Sequence, residues 1–190
     1  MTQRTGFQKF VLFATVGIGL FALCVAVMTL LTLRQSQAAR KFSATPIAAD
    51  FPAPALTLSD LAGAEHSLDD LRGQVILLNF WATWCQPCLD EMLALETFYH
   101  SHKAEGLIVI GINNGESAGE VESFLDNLAI TFPVWLDPQF LGEGAFGVTN
   151  LPSSFLIDRA GRVRLQWLGA IELSTLEDVV APIINEDGAN

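Results

Sequence analysis

An apolar segment that runs straight into two closely spaced cysteines constrains the fold of this chain most strongly. Residues 75–82, "VILLNFWA", form a nearly continuous apolar run of strand length, which is typical of a strand buried on both faces. A helix pattern begins at Cys85, and Cys88 follows within its first turn. Pro87 fits this turn because the first N–H groups of a helix have no partner inside the helix. The sequence therefore predicts a strand that leads through the two cysteines into a helix.

The neighbouring segments complete an alternating pattern of strands and helices. Asp90 and Glu91 are expected to fill the first turn of the helix, Gly106 to end it, and residues 107–113 to form a second buried strand parallel to the first. Further segments are a hairpin at 55–68, a helix at 116–130, a strand at 132–137, a brief helix or turn at 141–148, a hairpin at 153–169 and a closing helix at 172–184. Together they predict an α/β fold with a mixed sheet and helices on both faces.

The N-terminal segment has a different character. Residues 10–33 contain no charge, and a helix of this length reaches about 36 Å, enough to cross a hydrocarbon core of about 30 Å. We interpret residues 1–41 as an uncleaved anchor, with residues 10–33 in contact with membrane lipid, and residues 42–190 as a domain with a short tether within residues 34–54. A cleaved signal peptide is the alternative, although its apolar core is usually only about 7–15 residues long. Basic residues flank the segment on both sides, so charge alone does not set its orientation.

Charge is distributed unevenly between the two parts of the chain. Residues 1–41 hold five basic residues and no acidic one, whereas the remainder holds five basic and all 21 acidic residues. Nucleic-acid binding needs clustered Lys and Arg against the phosphates. The acidic domain is therefore not expected to bind nucleic acid.

The cysteine pair could serve as a structural staple, a metal clip or a redox centre. A lone Cys-x-x-Cys closes a tiny loop and constrains the unfolded chain very little. A structural zinc site needs four ligands, and His66, His100 and His102 are not in ligand spacing with the cysteines. Redox chemistry fits best, because the helix N-terminus stabilises a thiolate at Cys85 while Cys88 lies covered within the first turn. We predict that Cys85 is the nucleophile and Cys88 the resolving thiol, with no metal or other cofactor.

Longer motifs around the cysteines resemble a known family. "NFWATWCQPC", residues 79–88, resembles the aromatic-rich approach to the active site of the thioredoxin superfamily. Residues 51–88 and 147–169 resemble membrane-anchored thiol–disulfide oxidoreductases of the TlpA/ResA/DsbE type, and the similarity extends over about residues 50–184. It implies a thioredoxin-like fold with an N-terminal β-hairpin and a central helix–strand insert at 114–137, preceded by one transmembrane helix.

The resemblance also assigns roles to residues around the thiols. Pro152 matches the cis-proline that faces the CxxC, where it would hold Leu151 extended so that the Leu151 backbone can pair with a substrate strand. Trp84 matches the residue that borders the reactive thiol. Together with Gln86 and Pro87, Trp84 and Leu151 are expected to contact substrate.

Glu91 matches an acidic residue that tunes the thiols of this family. Because Cys88 and Glu91 are three residues apart on a helix, a carboxylate there can take the Cys88 proton during resolution. The alternative is an acidic residue in the first turn that serves only the helix dipole. Asn79 stands where thioredoxin itself carries a buried aspartate, and an amide cannot exchange a proton.

The resemblance implies an extracytoplasmic protein-disulfide reductase, single-pass in the cell membrane. Expected clients are cysteine pairs in other proteins, with apocytochrome c before haem attachment first and copper-site proteins second, and a membrane thiol carrier would restore the dithiol. A thiol peroxidase is one alternative, although its Pro-x-x-x-Thr-x-x-Cys pattern is absent: Thr83 is two residues before Cys85, and no proline stands at 79–81. A non-catalytic, membrane-tethered assembly module is the other.

Overall fold

The structure is a computed structural model that describes residue 17, residues 19–30 and residues 43–186. The chain divides at residue 42 into two units, which are described separately. In the first unit, residues 19–30 are helical, and the rest of the anchor predicted at 10–33, apart from residue 17, lies outside the described residues. None of the helices within the described ranges has both the length and the apolar character needed to span a membrane.

An eight-stranded mixed sheet organises the second unit. Its strands are β1 (Ile47–Pro52), β2 (Thr57–Asp60), β3 (Glu65–Ser67), β4 (Val75–Trp81), β5 (Leu107–Asn114), β6 (Val134–Asp137), β7 (Ser153–Ile157) and β8 (Arg162–Leu168). Their order across the sheet is β1-β8-β7-β4-β5-β6-β2-β3. β4 pairs parallel with β5 and antiparallel with β7, and all of its residues are buried. The predicted apolar run is thus a central strand, covered on both faces.

Helices pack on both faces of the sheet, as predicted. They are α1 (Gln86–His102), α2 (Ala118–Leu125), α3 (Leu141–Phe146) and α4, which joins Leu173–Thr175, a π-helical turn Leu176–Val180 and Ala181–Glu186. Side chains of α1, α2 and α4 contribute to the apolar core on one face. α3 and the 3-10 turn Leu68–Leu71 contribute to the core on the other face. The π-helical turn precedes Pro182, which lacks an N–H and whose ring crowds the preceding helical turn.

Both hairpin predictions are confirmed. Gly63 (φ 82°) lies in the β2–β3 turn and Gly161 (φ 80°) in the β7–β8 turn, in the left-handed region that glycine adopts without strain. The parallel pairing of the two buried strands is confirmed as well.

Three predictions at element boundaries are wrong. Residues 47–52, placed in the tether, form β1, because they pair with β8 at the far edge of the sheet. The helix predicted at 116–130 ends at Leu125, where Asp126 and Asn127 form a turn. α1 begins at Gln86, so its first turn holds no acidic residue, and Glu91 lies one turn further along.

A buried carboxylate fixes the start of α3. Asp137, at the end of β6, accepts backbone N–H bonds from Leu141 at 2.7 Å, Gly142 at 2.8 Å and Glu143 at 3.1 Å. The first N–H groups of a helix lack partners inside the helix, and this side chain satisfies three of them. It thereby determines where α3 starts.

We expect Asp137→Ala to lower the free energy of unfolding by about 2–4 kcal/mol, because buried N–H groups lose their acceptor. Urea denaturation of the oxidised protein measures this. Asp70→Ala, at an exposed aspartate of the Leu68–Leu71 turn, is the matched control and should change stability by less than about 0.5 kcal/mol. Equal stability of the two variants would show that Asp137 does not hold α3.

Candidate active site

The two predicted redox cysteines form a disulfide at the N-terminus of α1. Cys85 is the N-cap residue of the helix and is extended, and its Sγ lies 2.00 Å from that of Cys88. Cys85 keeps 5% of its surface exposed, whereas Cys88 is fully buried. An unpaired helix N-terminus favours negative charge, so a thiolate is stabilised at Cys85 once the disulfide is reduced. The geometry agrees with the predicted division into an attacking and a resolving thiol.

The pairing of β4 with β7 brings Pro152 to the CxxC end of the sheet. Phe80 is opposite Ser153, so Pro152 comes next to the end of β4 from which the chain continues to Cys85. The Leu151–Pro152 bond is cis, as expected from the resemblance. The Pro152 carbonyl accepts a hydrogen bond from the Gly169 N–H at 2.8 Å. Among the described residues the Leu151 backbone has no hydrogen-bonding partner, so it is available for another chain.

An open groove of about 490 Å³ lies beside this loop. Its lining residues are Trp84, Asn114, Gly115, Glu116, Phe140, Glu143, Val148, Thr149, Asn150 and Leu151, and we call it the Trp84 groove. Trp84 is 72% exposed, in contrast to Trp81, which is buried and packs on Phe124 with ring centroids 5.8 Å apart. Gln86 and Pro87 are exposed but do not line the groove. The structure thus brings together two of the four predicted substrate-contact residues, Trp84 and Leu151.

Glu91 lies in the core beneath the thiols and not on the helix surface. It is 1% exposed, its Oε1 accepts a hydrogen bond from Asn79 Nδ2 at 2.7 Å, and its Oε2 accepts one from the Ile171 N–H at 3.1 Å. Asn79 also donates to Ser154 Oγ at 3.0 Å. The interpretation of Glu91 as a first-turn residue that serves the dipole is therefore wrong.

Burial raises the pKa of Glu91 to about 8, and the hydrogen bonds from Asn79 and Ile171 oppose this shift only in part. Cys88 and Glu91 are three residues apart on the same helix, and a carboxyl with a raised pKa binds a proton more readily than an ordinary carboxylate. Glu91 is thus suited to take the Cys88 proton, and Asn79 orients it.

A partly buried interaction in the loop before Cys85 was not predicted. The Thr83 N–H and hydroxyl both donate to the Glu116 carboxylate, and Asn113 Nδ2 donates to it at 2.7 Å. This joins the loop before Cys85 to the end of β5. The sequence offers only a weak signal, an acidic residue that follows the polar end of a buried strand. The Thr83 hydroxyl binds Glu116, and Thr83 is two residues before Cys85 and not three, as in the peroxidase pattern.

The three histidines pair with carboxylates elsewhere in the fold. His66 contacts Asp60 at 2.8 Å, and His100 contacts Glu96 at 2.8 Å. His102 lies between the carboxylates of two glutamates, Glu105 and Glu177. In the described parts of the chain, no three His, Cys, Asp or Glu side chains are grouped so that they could hold a metal ion.

Comparisons with known proteins agree with this site. Residues 49–166 match the AhpC/TSA family. The chain is 40% identical over 135 residues to the thiol–disulfide oxidoreductase ResA of Geobacillus thermodenitrificans, covering 71% of this chain and 76% of that protein. It is 36% identical over 126 residues to ResA of Bacillus subtilis, covering 66% and 70%. A Chlorobium tepidum structure provisionally named thiol:disulfide interchange protein DsbE aligns with a TM-score of 0.67 and 32% identity, covering 71% of this chain and 96% of that one.

Glu91→Gln tests the buried acid through the pH dependence of stability. The folded-state pKa lies near 8 and the unfolded value near 4.5, so the folded state binds this proton more tightly. The Glu91 contribution to the free energy of unfolding is therefore complete below about pH 4.5 and is lost as pH rises towards 8, by at most about 1.4 kcal/mol per pH unit. Urea denaturation of the oxidised protein between pH 5 and 8 should show a flatter profile for the variant. Glu122→Gln, on the exposed side of α2, should keep the parent profile, and parallel profiles for Glu91→Gln and parent would contradict the shifted pKa.

Proposed function

Because the chain belongs to the AhpC/TSA family and groups with the ResA thiol–disulfide oxidoreductases, we propose that it reduces disulfides of client proteins outside the cytoplasm. The predicted thioredoxin-like fold and thiol–disulfide oxidoreductase class are confirmed by these relationships. One observation carries the proposal: Cys85 keeps a small exposed surface at the N-terminus of α1, while Cys88 is fully buried next to it.

The reaction begins with the reduced pair. The Cys85 thiolate attacks a client disulfide, forms a Cys85–client disulfide and releases one client thiolate. Glu91 accepts the Cys88 proton, and the Cys88 thiolate attacks the Cys85 sulfur, which releases the second client thiolate. The Cys85–Cys88 disulfide forms, and two electrons have moved from the dithiol to the client. No cofactor takes part.

The client is held as an extended chain. The free Leu151 backbone offers hydrogen bonds to a passing strand, and the exposed Trp84 ring offers an apolar surface beside Cys85. Only a segment that fits between these residues can place its sulfur in line with the thiolate.

The proposal also covers where the protein is located, which proteins it reduces and what supplies its electrons. The uncharged segment 10–33 supports a single-pass membrane anchor, and similarity to the membrane-anchored oxidoreductases supports a domain on the extracytoplasmic side. Apocytochrome c before haem attachment is the first client and copper-site cysteines the second. A thiol carrier in the membrane returns electrons to the pair. Acidic residues outnumber basic ones about twofold in the whole chain, and this charge balance argues against nucleic-acid binding.

Serine variants separate the roles of the two thiols. In an insulin-reduction assay, Cys85→Ser should abolish activity, because the attacking thiolate is gone. Cys88→Ser should accumulate a mixed disulfide with insulin, visible by non-reducing electrophoresis. Cys24→Ala, which removes the remaining cysteine of the chain, is the control and should keep parent activity. Peroxide consumption without insulin reduction would instead support the peroxidase alternative.

The reduction potential decides the direction of exchange. Titration against a glutathione or dithiol buffer, with tryptophan fluorescence as the readout, should give a value of about −270 mV, as for thioredoxin. Trp84 lies next to Cys85 in the sequence and should report the redox state. A value of about −120 mV, as for a strong disulfide-forming oxidant, would overturn the reductive proposal.

A further inference from the structure

The far wall of the Trp84 groove carries an exposed aromatic ring in an unusual backbone conformation. Phe140 has a φ of 57°, in the left-handed region that bulky residues rarely adopt, and is 49% exposed. Its ring lies over Gly115, where a Cβ atom would come within 2.6 Å of it. Asp137 anchors the residues that follow it. Such conformations persist only where the surroundings enforce them, and they cluster at ligand-contacting positions.

Two carboxylates line the groove, and they differ in how many hydrogen bonds they accept from the protein. Glu116 accepts three hydrogen bonds from Thr83 and Asn113, so both of its oxygens are engaged within the protein. Glu143 accepts one, from Asn114 Nδ2 at 2.8 Å to its Oε2, and its other oxygen has no partner among the described residues. Glu143 is therefore the carboxylate that can bind a ligand.

Asn114 leaves a second acceptor without a partner. It is 4% exposed and lines the groove, and its Oδ1 accepts no hydrogen bond from any described residue. Buried acceptors without a donor are rare and destabilising. A donor that enters the groove at the Glu143 carboxylate would therefore lie close to a second, unsatisfied acceptor.

None of the described residues that line the groove is basic. A cationic side chain would complete the site, with the Phe140 ring as a cation–π surface and the Glu143 oxygen as a charge-assisted acceptor. An arginine guanidinium offers five N–H donors in a fixed fork, which suits the oxygen of Glu143 that has no partner among the described residues.

We propose that the Trp84 groove selects client segments that carry an arginine or lysine a few residues from the attacked cysteine, with Glu143 and Phe140 as the residues that determine this specificity. The inference rests on the proposed role of Cys85 as the attacking thiol. It adds a sequence preference to the exchange reaction: the cation binds between Phe140 and Glu143 while the neighbouring backbone pairs with Leu151.

The test uses the full chain with Cys88→Ser and Cys24→Ala, so that Cys85 is the only thiol. Two peptides are compared, identical except for arginine or its neutral isostere citrulline three residues from a single cysteine, which is held as a mixed disulfide with 5-thio-2-nitrobenzoate. The Cys85 thiolate attacks the peptide sulfur, a Cys85–peptide disulfide forms, and the coloured thiolate leaves. We expect the second-order rate for the arginine peptide to be about five- to tenfold higher at low salt, and this ratio to shrink as salt rises.

Further substitutions assign the preference to its residues. Glu143→Gln keeps an acceptor for Asn114 but removes the charge, and it should bring the two rates to within about twofold. Phe140→Leu keeps an apolar side chain without the aromatic face and should give an intermediate ratio. Glu122→Gln removes one negative charge at an exposed position of α2, outside the groove, and should keep the full ratio of the two rates.

Equal rates for the two peptides, or a ratio that survives Glu143→Gln, would overturn the inference. The rate ratio does not depend on the direction in which the enzyme works. Either result would therefore leave the reductase proposal standing, because that proposal is tested by the reduction potential.

Discussion

The rest of the site depends on how β4 is held in the sheet. This strand pairs with a neighbour on each side, and both of its faces are buried. Along β5 its parallel register places Asn113 beside the loop that leads to the cysteines. Along β7 its antiparallel register places Pro152 at the same end of the sheet. The strand also supplies Asn79, which reaches the Glu91 carboxylate. A shift of one residue in this strand would exchange its two faces and dismantle all three arrangements.

Three acidic side chains of the domain, Glu91, Glu116 and Asp137, bind neutral donors and form no ion pair with any described cation. Glu91 binds an amide and a backbone N–H, and Asp137 binds three backbone N–H groups. Glu116 binds Thr83 and Asn113. Hydrogen bonds from neutral donors also lower the pKa of a carboxyl, but at Glu91 the effect of burial outweighs them. Glu91 can therefore keep a proton close to neutral pH while Asn79 and Ile171 hold it in place.

Much of this arrangement could be predicted from sequence, because it is local. The apolar strand, the helix that follows the cysteines and the two glycine turns depend on neighbours in the chain. The cis bond at Pro152 came from resemblance alone. Sequence reasoning failed where contacts link distant segments: residues 47–52 become a strand only through β8, and Glu91 is a core residue only because Ile171 and Asn79 meet it. The acceptor at Glu116 for Thr83 likewise depends on two segments that are far apart in the chain.

The small exposed surface of Cys85 has a consequence for when the protein can act. A cysteine with so little exposed surface, beside an exposed indole, is reached more easily by a thin extended chain than by a disulfide inside a folded domain. For a chain that reduces client proteins, as we propose, this geometry favours cysteines that are still in unfolded segments. Such a reductase competes with the folding of its own clients, because folding buries the cysteines that it must reach.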